Sequence, residues 1–276
     1  HEPIFMDTLE SCGLNKYLFE MANIRNHDSW VHGNAPREAT EKAKDLVRMA
    51  VARARRLAPL QEKSIPVVSK ALVIGGGVAG MNAALSLADQ GFETTLVEKE
   101  PELGGLANQL TRTIEGEDIP TYVRELAERT VAHPNLTVFT RSVVVNFTGF
   151  KGNFQTELIV GPGMYERTIE HGVTILATGA KEYQPGEYLY GQNERVLTQL
   201  ELGQRLESGN FPQTNQVAMI QCVGSRNEEH PNCSRICCQA AIKNAIHIKK
   251  QNPETQVHIL YRDIRTYGAL EDYYTK

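Results

Sequence analysis

Four of the chain's five cysteines lie within seventeen residues, at Cys222, Cys233, Cys237 and Cys238, and they are the strongest chemical signal in the sequence. Thiols this close together could form disulfides, a thiol redox pair, a zinc site or an iron–sulfur cluster. Adjacent cysteines such as Cys237 and Cys238 rarely pair with each other. The C-x-x-C spacing of thiol redox motifs is absent. The disulfide and the redox pair are therefore the weaker interpretations.

The spacing of these cysteines is C-x₁₀-C-x₃-C-C, and it distinguishes a zinc site from an iron–sulfur cluster only in part. Zinc sites usually combine two pairs of ligands, and here no second pair follows. A [4Fe–4S] cluster takes four thiolates. The last three cysteines lie around a predicted helix start, where the helix dipole stabilises thiolates. The pattern favours a cluster. Since it is not the spacing of a common ferredoxin, zinc and buried structural cysteines remain alternatives.

A second pattern combines a glycine-rich turn with a later carboxylate. Gly75 to Gly80, GGGVAG, joins an apolar strand predicted over 71–74 to a helix over 78–90, and Glu98 ends a second strand over 93–97. This is the context of a dinucleotide fingerprint, in which the glycines allow a tight turn, pyrophosphate approach and close helix packing, and the acid binds ribose. The predicted cofactor residues are Gly75, Gly77, Val78, Ala79, Gly80, Glu98 and Lys99.

Two later elements favour FAD over NAD. A glycine pair, Gly104-Gly105, follows the acidic residue, and an apolar strand runs into Ala177-Thr178-Gly179, with meander strands predicted over 137–147 and 154–160. This order resembles the flavoprotein disulfide reductases with two dinucleotide domains, in which all three elements contact FAD. The resemblance adds these FAD contacts: Gly104, Gly105, Leu106, Val143, Val144, Ala177, Thr178 and Gly179.

The predicted fold class is α/β and thioredoxin-reductase-like. A helical and linker segment is expected over 1–69, with an amphipathic helix opening at Pro36 and an apolar stripe that docks. A Rossmann-like FAD domain with a small β-meander follows over 70–182. A second Rossmann-like, nicotinamide-domain-like half follows over 183–276, with strands at 217–221 and 257–261 around a helix at 234–250. The turn after its first strand holds the cysteines instead of a GxGxxG motif, which predicts no NAD(P)H binding there.

Six further segments carry a more specific resemblance. "CVGSR", "CSRICC" and "AAIKNA", together with "GLNKYLFEMANIR", "SWVH" and "ATEKAKDLVRMAVARA" ahead of the glycine turn, resemble the flavoprotein subunit of heterodisulfide reductase over nearly the whole chain. The resemblance implies an oxidoreductase subunit in which the four clustered cysteines hold a [4Fe–4S] cluster beside FAD. It also implies that Lys243 lies near the flavin N5, where a cation stabilises reduced flavin.

The same resemblance implies electron transfer, and in some complexes flavin-based electron bifurcation among a two-electron donor, a heterodisulfide and ferredoxin. The implied partners are iron–sulfur subunits, a hydrogenase or formate dehydrogenase linker subunit, ferredoxin and a second copy of the flavoprotein, in methanogenesis. Two departures stand out. Asp28 occupies a position where family members often have cysteine, and the family's chains normally continue well beyond the position of Lys276. We therefore expect a piece of a longer protein, with the FAD domain incomplete at its C-terminal end.

Composition limits the other classes of function. The 276 residues are 41% hydrophobic with a net charge of −4, which gives no electrostatic case for nucleic acid or anionic membranes. No apolar run reaches the roughly 20 residues of a membrane span. Clustered cysteines favour a reducing, cytoplasmic location. The competing functions are a self-contained pyridine-nucleotide disulfide oxidoreductase, which lacks its second GxGxxG and C-x-x-C here, and a non-catalytic FAD scaffold with structural zinc.

Overall fold

The computed structural model describes residues 1–275, which divide into two compact units at residues 65 and 66. The first unit contains α1 (Glu2–Ser11), a 3₁₀ turn (Lys16–Leu18), a π-helical turn (Arg25–Ser29) and α2 (Pro36–Ala54). Proline at the first position of α2 suits a helix start, because no intrahelical acceptor exists there for its missing N–H.

The expected docking of the α2 stripe is not seen within the first unit. No side chain of α2 is buried, and Val47 and Val51 are 45% and 48% exposed. The unit is held instead by polar contacts between its ends: the Asn15 amide donates to the carbonyl of Leu60 at 2.8 Å, and the Tyr17 hydroxyl donates to Glu62 at 3.0 Å.

The second unit begins with a parallel sheet covered by two helices. In chain order its elements are β1 (Lys70–Ile74), α3 (Val78–Asp89), β2 (Glu93–Val97), α4 (Ile119–Ala132) and β3 (Leu136–Phe139). A small antiparallel sheet of β4 (Ser142–Phe150), β5 (Asn153–Val160) and β6 (Tyr165–His171) follows, and β7 (Val173–Leu176) returns to the parallel sheet, whose order is β3-β2-β1-β7. Buried apolar side chains of β1, β2, α3 and α4 form its core.

The single meander strand expected over 137–147 is wrong, because this segment belongs to two sheets. Residues up to Phe139 pair in parallel with β2, and residues from Ser142 pair antiparallel with β5. The chain changes direction at Arg141, whose φ of 50° is left-handed. An alternating apolar pattern predicts extended backbone on both sides of such a turn, but it does not show where the pairing partner changes.

The C-terminal half repeats the strand–helix–strand arrangement as predicted. It contains α5 (Gln199–Glu207), β8 (Gln216–Ile220), α6 (Cys237–Gln251), β9 (Gln256–Leu260) and α7 (Glu271–Thr275), and β8 pairs in parallel with β9. The buried side chains of α5, α6 and β8 form a second core. The helix starts at Cys237 instead of 234, because Arg235 has a left-handed φ of 63° that a helix does not accept.

The α/β class and the Rossmann-like arrangement predicted from the sequence are therefore confirmed. Within residues 1–275, no helix has both the length and the apolar character that a bilayer crossing requires.

Candidate functional site

The glycine-rich turn between β1 and α3 is shaped by close backbone contacts. Gly75 has a φ of 110°, and a Cβ there would overlap the carbonyl oxygen of Ala177. A Cβ on Gly80 would overlap the carbonyl oxygen of Gly75. Only glycine allows these approaches. They bring the first turn of α3 directly against the end of β1 and place Ala177 and Thr178, in the segment that follows β7, against the glycine turn.

Gly77 is open where Gly75 and Gly80 are crowded. No atom lies within 4 Å of the position that a Cβ on Gly77 would occupy, and Gly77 caps α3 without a side-chain hydrogen bond. The first N–H groups of a helix, here including those of Val78 and Ala79, have no intrahelical acceptor. An open, positively polarised helix start of this kind suits a pyrophosphate.

Glu98 connects the glycine turn to the end of β2. Its side chain is 6% exposed; Oε2 accepts the backbone N–H of Gly76 at 2.5 Å, and Oε1 accepts that of Glu100 at 2.8 Å. Each carboxylate oxygen has a second lone pair with which it can accept from a ribose hydroxyl. Lys99 points outward and forms an ion pair with Glu100 at 3.7 Å. Glu98 therefore fits the ribose role, and Lys99 lies at the rim.

The glycine pair after β2 packs on the same turn. The backbone N–H of Gly104 donates to the carbonyl of Gly76 at 2.8 Å, and Gly104 forms a bridge with Gly77. A 3₁₀ turn that includes Gly105 and Leu106 follows. The three elements that the sequence predicts for FAD are thus assembled around one site.

The two valines predicted to contact FAD, Val143 and Val144, face opposite ways. Val144 packs against the core formed by Leu72, Val97 and Leu158, whereas Val143 is 48% exposed. Successive side chains of a strand point to opposite faces of the sheet, so the side chains of the two valines do not share one face. Of the pair, Val143 is the one whose side chain is free to contact a ligand.

The cysteines lie at the carboxyl end of β8 and at the start of α6. Cys238 is 4% exposed, and Cys222, Cys233 and Cys237 are half-buried. Cys222, Arg226 and Arg235 have φ values of 63°, 58° and 63°. Such left-handed conformations in residues other than glycine cost on the order of 1–3 kcal/mol each and cluster at functional sites. The loop therefore holds a shape that its residue types do not prefer.

One arginine lies against a thiol of this loop, and a second lies close by. The Arg226 guanidinium lies 4.0 Å from the Sγ atom of Cys222 and forms an ion pair with Asp263, which also accepts a hydrogen bond from Arg265 at 2.9 Å. Hydrogen bonds from Arg265 and then Arg226 hold the pKa of Asp263 below its usual value. Burial raises the pKa of the Cys238 thiol, and the backbone N–H of Arg265 acts in the opposite direction.

The fit of a cluster to this loop rests on the donor set. Four thiols share one loop, and directly before it the side chain of Gln221 is 7% exposed with neither its amide nitrogen nor its amide oxygen hydrogen-bonded. A buried amide without partners is costly, and it suits a site that holds a further polar group. Across residues 1–275, no three or more His, Cys, Asp and Glu side chains converge as the ligands of one metal ion.

Lys243 lies on α6 with the cysteines, as predicted, and reaches the FAD part of the unit. Its Nζ donates to the carbonyl of Arg112 at 3.3 Å, and burial lowers its pKa while Glu207 acts in the opposite direction. The side chain of Gln204 on α5 also donates to the carbonyl of Gln109 at 3.3 Å. These contacts place Lys243 beside the segment that follows the Gly104–Gly105 turn.

Sequence reasoning missed the contact that brings the two halves of the site together. The ring of Tyr183, four residues past Gly179, occupies the space where a side chain on Gly224 would lie. The segment after β7 thus touches the cysteine loop. Asp263 and Gln221 were also missed. The one available signal was their position at the carboxyl ends of β9 and β8, where ligands bind in open α/β sheets.

The family model described as pyridine nucleotide-disulphide oxidoreductase matches residues 69–225, more than half of the chain. The chain belongs to this family. The matched range starts just before β1 and ends inside the cysteine loop, so it includes the glycine turn, Glu98, the glycine pair and the Ala177–Gly179 segment. Membership in the pyridine nucleotide-disulphide oxidoreductase family makes the chain part of an oxidoreductase and indicates FAD as its dinucleotide.

Curated relatives align with the whole of this pyridine nucleotide-disulphide oxidoreductase family chain, and each is one subunit of a heterodisulfide reductase. The subunit from the H(2):CoB-CoM heterodisulfide,ferredoxin reductase of Methanothermobacter marburgensis is 37% identical, and this chain spans 56% of its length. The subunit from the ferredoxin/F(420)H(2)-dependent CoB-CoM heterodisulfide reductase of Methanosarcina acetivorans is 34% identical, with 46% spanned. The chain thus spans about half the length of the curated relatives it matches.

Solved structures similar to the chain include two thioredoxin reductases. The Lactococcus lactis enzyme matches 75% of this chain and 61% of its own at 17% identity and a TM-score of 0.47. The thioredoxin reductase of T. acidophilum matches 75% and 60% at 16% identity, also with a TM-score of 0.47.

Proposed function

We propose that this chain is the FAD- and [4Fe–4S]-containing electron-transfer part of a protein similar to the flavoprotein subunit of heterodisulfide reductase. The observation that carries the proposal is the position of the cysteines. They occupy the carboxyl end of β8, where a second nucleotide would bind in this family, and their loop touches the segment from the flavin side through Tyr183. A redox group there would lie next to the flavin site.

Different residues would bind the flavin, hold the cluster and place a positive charge nearby. The open start of α3 would hold the pyrophosphate of FAD, and the Glu98 carboxylate would accept hydrogen bonds from a ribose hydroxyl. Cys222, Cys233, Cys237 and Cys238 would hold the cluster. When bound, FAD would supply two-electron and one-electron redox chemistry, and a cluster would supply one-electron redox chemistry beside it. Lys243 holds a partly desolvated cation on the helix that starts with two of the thiols.

The proposal extends to assembly and physiological role. The relatives are each named as one subunit of a reductase, which supports a multi-subunit complex. We propose iron–sulfur subunits, ferredoxin and a hydrogenase or formate dehydrogenase linker subunit as partners, a homodimer within the complex, and a cytoplasmic role in methanogenesis-type electron transfer, including bifurcation. The boundaries at 69/70 and 182/183 and the incomplete C-terminal end of the FAD domain belong to the same proposal.

The test is an anaerobic absorption and EPR spectrum with quantification of iron, sulfide, zinc and flavin. About four iron per flavin is expected, with an EPR signal that appears on reduction by dithionite. Flavin with stoichiometric zinc and no iron would replace the proposal with the scaffold function. Rapid bleaching of the flavin by NADPH or NADH in the isolated chain would favour a self-contained pyridine-nucleotide reductase, which the missing second GxGxxG opposes.

A further inference from the structure

Asp263 holds two arginines at the edge of the cysteine loop. It lies three residues after β9; one carboxylate oxygen forms the ion pair with Arg226, and the other accepts the Nε–H of Arg265 at 2.9 Å. The side chains of Asp263, Arg226 and Arg265 are 45%, 21% and 35% exposed. One acidic side chain therefore fixes two partly desolvated cations.

Arg226 and the backbone of Asp263 both reach the thiols. The Nη1 atom of Arg226 lies 4.0 Å from the Sγ atom of Cys222. At the other end of the loop, the Sγ atom of Cys238 lies 3.9 Å from the backbone carbonyl oxygen of Asp263. Arg262 donates to the carbonyl of Arg226 at 2.6 Å. This last bond braces the left-handed turn at Arg226. Asp263 thus connects to both ends of the cysteine loop.

The physical effect of this arrangement is on charge. A group ligated by four thiolates is negative, and each electron added makes it more so. A fixed guanidinium nearby stabilises the added negative charge and so raises the reduction potential. Hydrogen bonds to sulfur raise it as well. A free arginine would spread over many rotamers, and holding it in one of them costs side-chain entropy. The Asp263 carboxylate offsets that loss by hydrogen bonding two arginines at once.

We propose, resting on the proposed function, that Asp263 is a positioning residue of the cysteine site. It does not touch the redox group. It acts through Arg226, whose charge it keeps against the Cys222 thiolate, and through Arg265, which it holds at the edge of the loop. It so raises the reduction potential of the bound group and slows its loss.

The test compares the reduction potential of the group in the full chain with that in Asp263→Asn. Removal of a negative charge alone would move the potential to more positive values. Release of the two arginines moves it to more negative values. A negative shift is therefore expected and supports positioning; an unchanged potential or a positive shift overturns it. Asp272→Asn, at an exposed aspartate of α7, controls for the loss of one negative charge at a distance.

Arg226→Gln provides a second variant should Asp263→Asn fail to fold. A more negative potential than in Arg195→Gln, which removes the same charge from an exposed loop, is the expected result. Equal potentials in these two variants contradict the inference. Circular dichroism melting of each variant shows whether it has folded.

The inference and the proposed function fail separately. If the wild-type chain holds zinc instead of iron, the proposed function has failed, and the same variants are then compared by the rate at which zinc is released to a chelator. Loss of residues that orient metal ligands typically weakens metal binding about 10- to 100-fold. Release about tenfold faster in Asp263→Asn supports positioning of the site for any metal, and an unchanged rate overturns it.

Discussion

At the level of single residues, Lys243 is a partly buried cation. Burial lowers its pKa, and its ammonium group donates to the carbonyl of Arg112. A partly buried charge interacts more strongly with neighbouring groups than a fully exposed one, because water screens it less. We therefore expect it to act on the flavin when the site is loaded.

Replacement of Lys243 by alanine is expected to lower the two-electron potential of the bound flavin. Loss of about 1.4 kcal/mol of stabilisation of the reduced form corresponds to about 30 mV. Spectroelectrochemical titration measures the shift. Lys250→Ala, on the exposed end of the same helix, should leave the potential unchanged. Lys243→Arg, which keeps the charge, should change it much less than Lys243→Ala does. An unchanged potential in Lys243→Ala would return this residue to a structural role.

The buried cysteine offers a second test at this scale. Cys238 is 4% exposed and begins α6 together with Cys237. Cys238→Ala should reduce iron and acid-labile sulfide per flavin by about tenfold, in line with the loss of a ligand of the cluster. Flavin content should stay constant. Cys12→Ala, an exposed thiol of the first unit, is the matched control and should retain full iron. Equal iron in the two variants would exclude Cys238 as a ligand.

At the level of elements, the turn between β1 and α3 contains one glycine that is needed for folding and another that is available for binding. Gly80 is needed because α3 packs on the backbone of Gly75, whereas the space at Gly77 is empty in the protein itself. The two glycines therefore stand in one turn for different reasons.

Alanine at each glycine should show this difference. Gly80→Ala should destabilise the protein by about 1–3 kcal/mol, because the added methyl group overlaps backbone. Gly77→Ala should keep the melting temperature of the FAD-free protein and weaken FAD binding at least tenfold. Gly186→Ala, in an exposed loop with open space, should change neither. Thermal melting and flavin fluorescence titration measure the two effects; normal FAD affinity in Gly77→Ala would contradict the pyrophosphate assignment.

The junction of β6 and β7 contains a buried histidine with consequences for pH. His171 is fully buried, with ring nitrogens 2.8 Å from the Thr156 hydroxyl and 3.1 Å from the Val173 carbonyl oxygen. Burial lowers its pKa below the usual 6.5, so the folded protein holds the neutral ring. Above pH 6.5 both states are neutral. Below it the unfolded chain binds a proton that the folded chain resists, and the free energy of unfolding falls.

The melting temperature of the wild-type chain should therefore drop more between pH 7.5 and 5.0 than that of His171→Gln. The variant loses some stability at every pH, because the ring packs against Phe147 and Phe154. The change of melting temperature with pH is compared within each protein, so this constant loss of stability does not affect the comparison. Parallel slopes in the two proteins would show that His171 titrates in the folded state as it does in the unfolded state.

At the level of the whole molecule, the boundary between the two units falls in a short segment between two sets of hydrogen bonds, one within each unit. Residues 60 and 62 bond to residues 15 and 17, and the backbone of Val68 bonds to Gly152 in the second unit. Between them, residues 63–65 are exposed and have no regular secondary structure. Exposed connections of this kind are preferred sites of proteolysis.

Limited trypsin digestion should cut first after Lys63, giving products of 63 and 213 residues by mass spectrometry. Lys63→Gln should slow this first cleavage without changing the melting temperature. An initial cut after Arg226 or Arg235 would instead show that the cysteine loop is less well held than its contacts indicate.

Much of the fold and of the candidate site could be predicted in advance. Local patterns indicated β1, α3, β2 and the repeat of strand, helix and strand around the cysteines, because hydrophobic period and glycine turns are encoded within short stretches. They failed at Arg141, where the two neighbouring segments find different sheets, and at the α2 stripe, which stays exposed within its unit. Pairing partners lie far away in sequence, and no local pattern specifies them.

The sequence by itself determined the dinucleotide turn, its acidic residue, the four clustered cysteines and the family. Each of these depends on residue type and spacing within a few turns of chain. Only the tertiary structure decided that Val143 and Val144 face apart, that Tyr183 touches the cysteine loop at Gly224, and that Asp263 joins Arg226 to Arg265. These contacts join segments from different strands and loops, so they exist only once the sheets have formed.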